Sequence, residues 1–128
     1  MTKLNSYLSL IRFYNPIGFW LLLWPGLWGL FLSDNFNIEN FTIVVLGSFL
    51  TRSLGCAIND FLDRDFDKSV QRTKNRPIAS KELSLSEAGI FIVLLASVCI
   101  FLLMQTNPYT IKLVSYIAIP MIILYPLM

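Results

Sequence analysis

Apolar positions along this chain fall into long runs, not into alternation. Four stretches approach the roughly 20 mainly apolar residues that a bilayer-spanning helix needs. They run about Pro16 to Ser33, with Trp20, Trp24 and Trp28, then about Phe41 to Ile58, about Ala88 to Gln105 and about Tyr109 to Met128. Closed β-barrels are the other spanning solution, but they need alternating apolar and polar positions. Runs such as Ile90-Phe-Ile-Val-Leu-Leu95 do not alternate. The pattern predicts an all-α, multi-pass transmembrane helical bundle of about four membrane helices. Pro25, Pro108, Pro120 and Pro126 are expected to kink or bound these helices, which membrane helices tolerate. The polar residues concentrate in one long segment, about 63–87, expected to be a loop.

Composition narrows the class. A length of 128 residues allows one domain. The chain is 55% hydrophobic and 14% charged, with a mean hydropathy of +0.64, which excludes disorder. A net charge of +2 is too small to drive phosphate-backbone binding, so no nucleic-acid partner is expected. The chain has no His, which excludes His-based triads and His metal sites. Cys56 and Cys99 lie in apolar stretches and are expected to pack as small hydrophobes. The N-terminus lacks the charged start, short apolar core and small-residue cleavage site of a signal peptide.

Positive charge orients the bundle. The segment from Asp63 to Glu87 carries Arg64, Lys68, Arg72, Lys74, Arg76 and Lys81, and the N-terminus carries Lys3 and Arg12. The connection from Asp34 to Asn40 has neither Lys nor Arg. The N-terminus and the long loop are therefore expected to face the cytoplasm, and the chain to end there too.

The chemistry gathers where the second apolar stretch ends, at Asn59-Asp60-Phe-Leu-Asp63-Arg-Asp65-Phe-Asp67. Carboxylates at the edge of a membrane helix are expensive and need a partner. At about 100° per residue, Arg52, Cys56, Asn59, Asp60, Asp63 and Asp67 fall within one arc, and Asp65 on the opposite side. An amide and three carboxylates on one face suit Mg²⁺, which takes a few carboxylates plus waters and substrate phosphates. An EF-hand fails, because Lys68 and Lys74 stand where its Gly and Glu belong. Next comes Arg72-Thr-Lys74-Asn-Arg76-Pro77, with three cations at alternate positions, a compact anion site in which Arg binds phosphate bidentately. Beside the carboxylate face, these residues point to a lipid diphosphate whose apolar tail lies between the helices.

Asn59-Asp60-x-x-Asp63-x-x-x-Asp67 followed by Arg72-Thr-x-x-Arg76-Pro77 resembles the first aspartate-rich motif of the UbiA superfamily of membrane prenyltransferases. Pro16-Ile17-Gly18, Leu22-Leu23-Trp24-Pro25, Asn107-Pro108-Tyr-Thr-Ile111 and Leu124-Tyr125-Pro126-Leu127-Met128 extend the likeness to the branch that acts on 4-hydroxybenzoate. The resemblance implies part of a nine-helix enzyme of the bacterial inner membrane. That enzyme joins a polyprenyl diphosphate to 4-hydroxybenzoate in ubiquinone synthesis. It implies Mg²⁺ held by Asn59, Asp60, Asp63 and Asp67, with Asp60 and Asp63 central to catalysis. It implies diphosphate contacts from Arg72, Lys74 and Arg76. It also implies that Arg12 and Arg52 face the acceptor carboxylate or the diphosphate. Tyr14 and Asn15 stand where the family usually has an acidic residue and a Lys. The family chain is roughly twice as long and carries a second aspartate motif on a later helix. A missing C-terminal half or a homo-oligomer is the expected completion. The rival expectations are a non-catalytic fragment that keeps the motif and a small anion carrier. The carboxylate face opposes the carrier, since it repels an anion unless a cation fills it.

Overall fold

The computed structural model describes residues 2–124, and these are all helix, turn and loop. α1 (Lys3–Leu10) is capped by Thr2, whose side chain accepts from the Asn5 amide. α2 (Ile17–Leu32) follows Pro16 and contains Pro25. α3 (Ile38–Leu62) starts at Asn37, whose side chain accepts from the Asn40 amide at 2.7 Å. A short α4 (Arg64–Asp67) follows directly. α5 (Leu85–Met104) opens on a reciprocal cap in which Ser84 and Glu87 each bind the other's backbone amide. α6 (Pro108–Leu113) is capped by Asn107, a π-helical stretch covers Val114–Ala118, and α7 (Ile119–Leu124) ends the description. Pro120 has no N–H to return to the preceding turn, and the helix widens just ahead of it.

The elements differ from the expected stretches in ways that have physical reasons. The second helix starts three residues earlier and ends four later than its apolar run, because backbone hydrogen bonding continues through Asn59 and Asp60. Its 25 residues span about 37 Å, beyond the roughly 30 Å of a hydrocarbon core, so its last turn carries polar groups past the apolar layer. The third helix runs from 85 to 104, not 88 to 105, because the Ser84 cap sets its start. The fourth begins at Pro108 and is broken into three pieces. Residues 125–128, including Pro126, lie outside the described residues. Of the four apolar helices, Ile38–Leu62 and Leu85–Met104 are long and apolar enough to cross a membrane, while Ile17–Leu32 and Pro108–Leu124 are shorter. The amphipathic α1 was not legible as a helix.

α3 is the central element, packed by α2 on one side and α5 on another, with α1 laid against it. Gly26 lets α2 approach α3, since a side chain there would meet Val44 at 2.9 Å. The buried core does not lie midway along the helices. It gathers at the aspartate-bearing end of α3, from Leu10, Ala57, Ile78, Leu83 and Ala88, with Tyr7, Phe61 and Phe91 against it. Away from that end, Trp24, Trp28, Phe31, Val93, Leu94 and Phe101 are exposed, as expected where lipid is the solvent. The segment 68–84 is a folded cap and not an open loop. Ile78, Ala79 and Leu83 are buried, and the Leu83 amide donates to the Pro77 carbonyl at 3.0 Å. α1 is tied to it: the Ser6 hydroxyl donates to Glu82 at 2.9 Å, and Lys3 pairs with Glu87 at the start of α5.

Candidate functional site

Asp60, on the last turn of α3, is 1% exposed. Its Oδ1 accepts from Arg12 Nη2 at 2.8 Å and lies 3.0 Å from Arg76 Nη1. The same Arg76 nitrogen donates to Asp67 Oδ2 at 2.7 Å. Residues far apart in the chain thus converge on one carboxylate. The turn after α1 delivers Arg12, whose backbone turns back in the left-handed region at φ 58°. α3 delivers Asp60, α4 delivers Asp67, and the folded cap delivers Arg76. Thr73, buried in the cap, donates its hydroxyl to the Asp67 carbonyl at 3.1 Å and so ties the cap to α4.

A cavity of about 560 Å³ opens beside this network, lined by Arg12, Tyr14, Asn15, Asp60, Arg72 and Arg76 among others. Arg12, Arg72 and Arg76 against Asp60 leave the lining net positive, so the cavity favours an anion. Two further cavities adjoin Arg12. One of about 500 Å³ is also lined by Arg52 and Asn59, and one of about 270 Å³ by Arg52, Phe19 and Trp20.

The expected metal face is divided. α3 ends at Leu62 and the chain turns at Asp63, so the helical phase that aligned Asn59, Asp60, Asp63 and Asp67 does not continue through all four. Asp60 and Asp67 are joined through Arg76, Asn59 lines the cavity with Arg52, and Asp63 is half-buried at the helix end. Among the described residues, no three acidic or thiol side chains gather as a metal cluster. One observation does fit a hard cation: Asp60 Oδ2 is buried and has no hydrogen-bond partner. Mg²⁺ usually takes one or two carboxylates and completes its shell with waters and substrate phosphates, which a single free carboxylate oxygen beside an anion cavity accommodates. Asp65 lies outside the network. It is exposed and bonded to Lys68 at 2.9 Å, and that ammonium holds its carboxyl below the usual range.

Among the expected diphosphate ligands, Arg72 and Arg76 line the anion cavity, whereas Lys74 is exposed and is not among its lining residues. Sequence reasoning missed Ser9, Tyr14, Asn15, Thr73 and Asn75 on that lining. The signal for Asn75 was its place between Lys74 and Arg76. Nothing in the sequence marked Ser9, which α1 brings in near its C-terminal end.

The model of the UbiA prenyltransferase family matches residues 22–128. Curated relatives are named 4-hydroxybenzoate octaprenyltransferase. That of Vesicomyosocius okutanii is 50% identical over 91% of this chain and 43% of its own length. Those of Polynucleobacter asymbioticus and Vibrio atlanticus are each 44% identical, over 97% and 99% of this chain and 44% and 45% of their own. The chain spans about half the length of the curated relatives it matches. No solved structure matches it.

Proposed function

The chain belongs to the UbiA prenyltransferase family, and from that premise we propose that it forms the first-aspartate half of a Mg²⁺-dependent prenyltransferase. The reaction moves a polyprenyl group from its diphosphate to 4-hydroxybenzoate in ubiquinone biosynthesis. The observation that supports it best is the buried Asp60 carboxylate set between Arg12 and Arg76 at the mouth of an arginine-rich cavity.

Arg72 and Arg76 bind the diphosphate oxygens in the cavity. Lys74 supplies a further cation for the diphosphate. Asp60, with Asn59, Asp63 and Asp67 near it in the chain, would hold the Mg²⁺, whose charge would offset that of the departing diphosphate. The allylic C–O bond breaks and the diphosphate leaves with the electron pair. The arginines stabilise that growing charge, and rings such as Phe19 and Trp20 face the cationic carbon. The acceptor ring attacks ortho to its hydroxyl, a C–C bond forms, and the ring carbon passes its proton to the released diphosphate or to water. Arg52 holds the acceptor carboxylate, and Arg12 faces that carboxylate or the diphosphate. The protein sits in the bacterial inner membrane with its N-terminus and folded cap in the cytoplasm. Its polar helix faces are covered by a C-terminal half or by a second copy.

The test expresses residues 1–128 in membranes lacking the endogenous enzyme, with Mg²⁺, 4-hydroxybenzoate and a polyprenyl diphosphate. No product is expected from the chain alone, because losing even one preorganised electrostatic contact typically lowers rates by about 10²–10³. Product is expected when the C-terminal half of a relative is co-expressed, and it should vanish with Asp60→Asn. Product from the chain alone above the Asp60→Asn control would make it a minimal enzyme. No product with the partner half would leave the inert-fragment reading standing and defeat this one.

A further inference from the structure

Holding an aromatic acid inside the bundle requires a cation that is not already neutralised, and Arg52 meets that requirement. It lies well inside α3, and among the described residues it makes no ion pair, whereas Arg12 and Arg76 share Asp60. An unpaired guanidinium within a membrane span is costly and marks a functional site. Its head is held in an unusual way. A Cβ built on Gly18 of α2 would lie 2.2 Å from Arg52 Nε, 2.4 Å from Cζ and 2.6 Å from Nη2. All three atoms belong to the charged group, so the guanidinium itself, not its aliphatic stem, rests on the helix backbone. From there it lines both the 500 Å³ and the 270 Å³ cavities, each shared with Arg12.

We propose that Gly18 is a positioning residue whose missing side chain berths the Arg52 guanidinium, turning it toward the carboxylate of the aromatic acceptor. The inference deepens the function proposed above and rests on it for the identity of the ligand. The planar fork of an arginine matches a carboxylate bidentately. Phe19 and Trp20, on the smaller cavity, offer ring faces for the aromatic body of the same molecule. Any side chain at position 18 must displace the guanidinium. Ordinary contact between heavy atoms begins near about 3.5 Å, so the head moves by more than about 1 Å. A misplacement of that size can cost about a hundredfold in a positioned interaction. The obstructing atoms are the far end of a flexible side chain, so Gly18→Ala is expected to fold with Arg52 swung aside.

The test measures equilibrium binding to the 128-residue chain in lipid nanodiscs, with radiolabelled 4-hydroxybenzoate and, separately, a polyprenyl diphosphate with Mg²⁺. Gly18→Ala should weaken 4-hydroxybenzoate by about 10- to 100-fold, keep diphosphate affinity essentially unchanged, and add no loss in an Arg52→Ala background. Equal loss of both ligands, or an undiminished effect without Arg52, overturns the proposal. A second measurement needs no acceptor: phenylglyoxal modification of Arg52, mapped by mass spectrometry, should quicken several-fold in Gly18→Ala. An unchanged rate overturns the berth. A quickened rate in Gly18→Ala, alongside a wild-type chain that never binds 4-hydroxybenzoate, supports the berth and overturns the acceptor reading on which its ligand rests.

Discussion

Removing Arg76 should harm this protein more than removing Arg12, although both reach the same carboxylate oxygen. Arg76 Nη1 lies 3.0 Å from Asp60 and 2.7 Å from Asp67, while Arg12 touches Asp60 alone, at 2.8 Å. In Arg12→Ala, Asp60 keeps one guanidinium. In Arg76→Ala, two carboxylates remain, their side chains 1% and 9% exposed, with no cation between them. A hydrogen bond to a charged group contributes about 1.5–3 kcal/mol, and breaking a fully buried pair costs about 3–5 kcal/mol. The Arg76 and Arg12 side chains are 23% and 30% exposed, so water screens part of this, and the lower ends apply. The expected losses are about 3 kcal/mol for Arg76→Ala and about 1.5 kcal/mol for Arg12→Ala. Asp67→Asn should restore about 1 kcal/mol in the Arg76→Ala background, because it removes the carboxylate left without a cation, Asp60 still being paired with Arg12. The assay is equilibrium unfolding in mixed micelles, followed by circular dichroism in the absence of Mg²⁺ and diphosphate. Equal losses for the two arginines, or no rescue by Asp67→Asn, would refute the claim that Arg76 neutralises both carboxylates.

Mg²⁺-dependent binding of a polyprenyl diphosphate should fall at least tenfold in Asp60→Asn and Asp63→Asn but stay near wild type in Asp65→Asn, whose carboxylate is occupied by Lys68 outside the network. Equal behaviour of the three variants in a filter-binding assay would sink the assignment. Single cysteines introduced in a Cys-free background should be reached by a membrane-impermeant reagent from outside intact cells at Asn37 but not at Ser69, and the reverse pattern would invert the topology. Ser84→Ala should cost about 1 kcal/mol in the same unfolding assay, since it removes the side chain that binds the Glu87 amide at 3.1 Å. Asp65, held below the usual carboxyl range by Lys68, adds stability above its unfolded-state pKa that fades as pH falls through its folded-state value. Asp65→Asn should therefore flatten the acid limb of the stability profile slightly, and a steeper limb would contradict the sign.

Long apolar runs determine helices whatever surrounds them, because lipid leaves the backbone no alternative but to satisfy itself. That is why the four apolar stretches, the all-helical class and the family were legible from residue order alone. The motif residues were legible as well, since charge at a membrane edge stands out by its cost. Their arrangement was not. A rule of about 100° per residue holds only while the helix lasts. α3 stops at Leu62 and the chain turns at Asp63, and Asp67 is joined to Asp60 through Arg76. Residues 68–84 read as a solvated loop because their apolar members, Ile78, Ala79 and Leu83, are few and scattered. Only contact with Leu10, Ala57 and Ala88 makes Ile78 and Leu83 part of a core. The approach of Arg52 to Gly18 is likewise invisible in the sequence, where the two stand on different helices. Such contacts depend on how α2 packs on α3, which tertiary structure alone decides.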